Sequence, residues 1–101
     1  MSTPKRTEGW ERRLADFIES RRATPFAWGS HDCCAFTAGA FAAITGRDPM
    51  AYHRHYRTEL GAARVIREAG GIESIPEAHG AKKQPVAMAR RGDVVSVEIN
   101  G

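Results

Sequence analysis

At 101 residues, 42% hydrophobic and 27% charged, the chain has the make-up of a single soluble domain with one modest core; intrinsic disorder is excluded. Its 15 Lys and Arg against 12 Asp and Glu leave only +3, and the basic pairs Arg12-Arg13, Arg21-Arg22, Lys82-Lys83 and Arg90-Arg91 are separated by acids. That pattern is a solvated surface, not a phosphate-binding stripe, so nucleic acid is not an expected partner. No targeting signal is visible in the polar start "MSTPKRTEGWERR", and with no apolar run near the roughly 18 residues of a bilayer span, membrane insertion is not expected.

In chain order, Trp10, Leu14, Phe17 and Ile18 recur at i, i+4, i+7 and i+8, one apolar stripe of an amphipathic helix. Thr7 is the expected cap, and "ATPF" closes the helix near Arg22. A second helix is predicted from about Cys33 to Gly46, a residue suited to the left-handed turn that ends helices, with Pro49 beyond. Its Ala, Phe and Ile content leaves no polar face, which predicts a central, buried helix. A third helix is predicted from about Thr58 to Ala69, with Leu60, Val65 and Ile66 inward and Gly70-Gly71 ending it. "IESIPEAHG" reads as a short helical turn, and "VVSVEI", Val94 to Ile99, as a strand. One strand needs a partner for its backbone groups, and Asn100-Gly101 is a strong hairpin signal. The expectation is therefore a single domain over 1–101 that lacks the C-terminal part of its sheet, or a sheet completed by another subunit along Val94–Ile99.

The chemistry-bearing stretch is "PFAWGSHDCCAFTAGAFAAITG", Pro25 to Gly46. Adjacent cysteines resist bridging to one another, and no third cysteine exists, which points to folding in a reducing cytoplasm. A cysteine at a helix N-terminus lies beside unsatisfied amides and the positive end of the helix dipole, which favour the thiolate and can hold an oxyanion. Asp32 is placed to cap that helix. Taken alone, Cys33 and Cys34 read more readily as small core residues.

The wider pattern resembles the NlpC-type papain-like cysteine peptidases of bacterial cell walls. It rests on Pro25-Phe26-Ala27-Trp28-Gly29, then Asp32-Cys33-Cys34-Ala35-Phe36, then Arg91-Gly92-Asp93-Val94-Val95. It is similar most of all to a small branch encoded in tail gene clusters of phages and prophage-like elements. The resemblance implies a papain-like α+β fold, with an N-terminal helical half and an antiparallel sheet begun at the C-terminus. It puts Cys33 at the nucleophile position and Cys34 where Ser is usual. It also implies a cleft shaped by Trp28, Gly29, His31, Asp32 and Cys34, with Arg91-Gly92-Asp93 opening the sheet. Ala35 departs from the usual Gly.

The general base of that superfamily is a His on a later strand, and none follows Gly92 here. His31 is two residues from Cys33, His53 and His55 belong to a solvated "YHRHY" connection, and His79 adjoins Gly80 in a loop. Three readings follow. The first is a structural component of a virion tail or tail tip, made in the host cytoplasm, with other tail proteins as partners. The second is an active cysteine peptidase or amidase cleaving peptidoglycan peptides during host entry. The third is a metal-binding module at His31, Cys33 and Cys34, disfavoured because ligands at i, i+2 and i+3 rarely close a tetrahedral site. No cofactor and no structural metal are expected.

Overall fold

A computed structural model describes residues 5–51, 53 and 55–95. Four helices appear in order: α1 Trp10–Arg21, α2 Cys33–Thr45, α3 Glu59–Glu68 and the single turn α4 Ser74–Glu77, followed by a 3-10 turn at Val86–Met88. No helix among the described residues is long and apolar enough to cross a membrane.

α2 is the axis of the molecule, and its composition explains why. Asp32 caps its start and Gly46, at φ +79, ends it by donating to the Ala42 carbonyl. One face meets α1: Phe36 tilts against Phe17 at 5.4 Å between ring centroids, and Gly39 leaves the space that the Phe17 ring fills. The face carrying Ala38 joins Met50, Tyr56, Ala62, Val65 and Ile75 in the core, with Trp28, Cys34 and Ala69 packed on its edge. Cys33 opens this helix and the helix packs on α1, as the sequence reading expected.

Three details differ from that reading, the first being Ile18, which ends the expected apolar stripe of α1 yet is 44% exposed. Thr7 does not cap α1; Gly9 holds the cap position at φ +74. The Thr7 hydroxyl and amide both donate to the Ile44 carbonyl instead, at 3.0 and 2.9 Å, tying the N-terminal segment to the end of α2. In α3, capped by Thr58 through the Gly61 amide, the inward stripe runs through Ala62, Val65, Ile66 and Ala69. Leu60 lies about 200° round the helix from Ala62 and is 71% exposed.

The larger correction concerns the sheet. Among the described residues no strand forms; Ala27 and His31 make an isolated antiparallel bridge. The described residues are mostly helical, and the expected papain-like α+β architecture with an antiparallel sheet is not seen. Of the expected strand Val94–Ile99, residues 96–99 lie outside the described residues. Val94 and Val95 are described and carry no strand; their side chains line a cleft beside α2. Alternating apolar residues serve a cleft wall as readily as a sheet face, and only a hydrogen-bonded neighbour makes them a strand.

Candidate functional site

The start of α2 is held by one carboxylate. Ala27 and His31 exchange two backbone hydrogen bonds, at 3.0 and 2.8 Å, which close the loop before the helix. Gly29, at φ +85, turns its amide inward to donate to Asp32 Oδ2 at 2.8 Å; this is a left-handed conformation that glycine adopts without strain. The Ala35 amide donates to Asp32 Oδ1 at 2.8 Å, and the Tyr56 hydroxyl donates to Oδ2 at 2.6 Å. Asp32 is only 4% exposed.

Burial by itself pushes the Asp32 carboxyl up. The Tyr56 hydroxyl and the amides of Ala35, Gly29 and Cys34 outweigh it and hold the group below the ordinary 3.8. The Tyr56 phenol is pushed up in turn, first by burial and then by its bond to Asp32, so it stays a protonated donor. Burial, with Cys33 and Asp32 alongside, raises the Cys34 thiol to about 12, which leaves it neutral. Cys34 is half-buried against the core.

Cys33 is different. It is exposed, occupies the first position of α2, and lines a cleft of about 160 Å³. The opposite walls are mainly apolar and come from far along the chain: Pro49 and Met50, Ile72, Ile75 and Pro76, and Val94-Val95. The charged residue in that lining is Glu73, which is paired with Lys83 at 2.5 Å.

The expected site residues divide between cleft and support. Cys33 and Cys34 lie together in the cleft. Asp32 and Gly29 sit buried behind them as the scaffold of the helix start. Trp28, expected in the wall, instead packs on the core and meets Phe26 edge to face at 4.8 Å. The His31 ring meets Phe36 nearly at right angles, at 6.3 Å between centroids, and does not line the cleft. All four histidines are described residues, and none lines the cleft. Among the described residues no three His, Cys, Asp or Glu side chains gather as a metal site.

Two contributors were not legible in the sequence. Tyr56 sits in the "YHRHY" stretch that reads as solvated, and its bond to Asp32 spans 24 residues. Arg6 reaches Asp93 across 87 residues. No local spacing signals either contact.

Compared with known protein families, residues 5–101 match one described as a domain of unknown function. The chain belongs to the DUF6950 family. No curated protein and no solved structure matches it. The DUF6950 chain thus presents an exposed helix-terminal thiol over an apolar cleft, supported by a buried Asp–Tyr pair.

Proposed function

We propose that this DUF6950 chain is a component of a phage or prophage tail in which the Cys33 cleft is a binding and assembly surface rather than a hydrolytic centre. The carrying observation is the make-up of the cleft. An exposed thiol faces apolar walls, and their described lining has a carboxylate already paired with Lys83 and none of the four histidines. Thiol hydrolysis needs a base within hydrogen-bond reach of the nucleophile, since free cysteine is only a few per cent ionised at neutral pH. The tail setting comes from the sequence motifs that resemble proteins of tail gene clusters.

A second reading has one observation in its favour. Cys33 stands in the first turn of α2, where backbone amides not used within the helix can bind an oxyanion. With a base supplied by another chain or segment, the same thiol would cleave peptidoglycan peptides. Incubation of the full chain with cross-linked peptidoglycan fragments separates the two. The assembly reading expects no cleavage, together with normal incorporation of Cys33→Ala into tail particles. Cleavage that Cys33→Ala abolishes would replace it with the peptidase reading.

A further inference from the structure

The N-terminal segment meets the last described residues beside the cleft. Arg6 donates to the Arg91 carbonyl at 2.6 Å and to Asp93 Oδ1 at 2.8 Å, and its guanidinium lies 4.5 Å over the Trp10 ring. The Asp93 side chain is 2% exposed. Its other oxygen accepts the Arg90 amide at 2.9 Å, and the Asp93 amide donates back to the Arg90 carbonyl, closing a turn over residues 90–93. Gly92, at φ +87, lets that turn lie flat against Trp10. The very next residues, Val94 and Val95, are cleft wall.

We propose that Arg6 and Asp93 form a latch that holds the Val94-Val95 wall against the Cys33 cleft, so that access of bulky groups to the thiol is governed from the N-terminal segment. Val95 is 50% exposed, so its own burial does little to hold it in place. The Arg6–Asp93 anchor stands immediately before Val94 and Val95. Removing one partner of this largely buried ion pair leaves the other charge uncompensated. The proposal deepens the reading of the Cys33 cleft as the working surface and rests on it. Its test reads thiol access alone, with no tail particle and no peptidoglycan, so it fails independently of that reading.

The full chain and its Arg6→Gln, Arg6→Lys and Asp93→Asn variants are reacted with iodoacetamide and with a maleimide carrying a polyethylene glycol chain. The rate at Cys33 is read by peptide mass mapping, and the folded state by circular dichroism. With the latch, Arg6→Gln and Asp93→Asn speed the bulky reagent about tenfold, the scale of losing a charged hydrogen bond, while iodoacetamide changes less than about twofold. Arg6→Lys, which keeps the charge but not the forked geometry, falls between. Unchanged rates with both reagents in folded variants overturn the latch. Equal acceleration of both also overturns it, since that reports general loosening. Should Asp93→Asn fail to fold, Arg6→Lys decides by the same criteria.

Discussion

Asp32 does two jobs that a single side chain seldom combines: it caps α2 and it satisfies the buried Tyr56 hydroxyl. Asn can still accept the Ala35 amide through one oxygen, but it turns an NH2 group toward two donors, the Gly29 amide and Tyr56. Asp32→Asn is expected to cost on the order of 2 kcal/mol at pH 7, read from urea midpoints. The sign of the pH dependence follows from the lowered Asp32 carboxyl. A group depressed in the folded state contributes stability above its unfolded value, and that contribution is lost as pH falls through the folded one. The gap between wild type and Asp32→Asn therefore narrows as pH drops below about 4, near the unfolded aspartate value. A gap that is constant from pH 7 to pH 3 would mean that Asp32 acts without its charge. The cap itself was legible from Asp32 standing before an apolar helix. The Tyr56 partnership was not.

At the scale of elements, the α1–α2 contact rests on one glycine. An added Cβ at Gly39 would overlap the Phe17 ring, whose aromatic neighbour is Phe36. Helix propensity alone makes Gly39→Ala favourable by about 1 kcal/mol. Overpacking a tight helix contact costs about 1 to 3 kcal/mol, so packing outweighs propensity. Gly39→Ala is expected to lower the thermal midpoint by several degrees, and Phe17→Leu in the same chain to recover part of the loss. A midpoint raised by Gly39→Ala would refute this docking of α1 on α2. Here the periodicity of Trp10, Leu14 and Phe17 identified the helix and its apolar face. It could not say which α2 residue would receive the Phe17 ring.

For the whole molecule, Arg6 and Asp93, near the two ends of the described residues, meet where the sequence suggested the opening of a sheet. Arg91-Gly92-Asp93 resembles the opening of a sheet strand, yet the same residues clamp Arg6 and Trp10. A Cβ at Gly92 would stand 3.0 Å from Trp10 Cζ3 and 3.2 Å from Arg6 Nη1, on a backbone at φ +87. Gly92→Ala thus combines left-handed strain with a clash, and a loss of about 1 to 3 kcal/mol is expected. Chemical denaturation gives the loss, and a red shift of tryptophan emission reports Trp10 leaving Arg6. Unchanged stability and emission would show that the clamp does not form.

What the sequence by itself determined is what local hydrogen bonding decides. The start of α2 at Asp32-Cys33, its end at Gly46, the start of α3 at Thr58 and its end before Gly70-Gly71 all depend on partners within about four residues. Tertiary structure decided the rest. It sent Thr7 to the Ile44 carbonyl instead of to its own helix, left Leu60 outside, and brought Tyr56 under Asp32. It also placed Val94 and Val95 opposite Cys33, where a sheet strand had been expected. Each of these joins residues far apart in the chain, and its stability comes from the docking of whole elements. No turn signal or periodicity carries that information, because the partner group arrives only once the helices have packed.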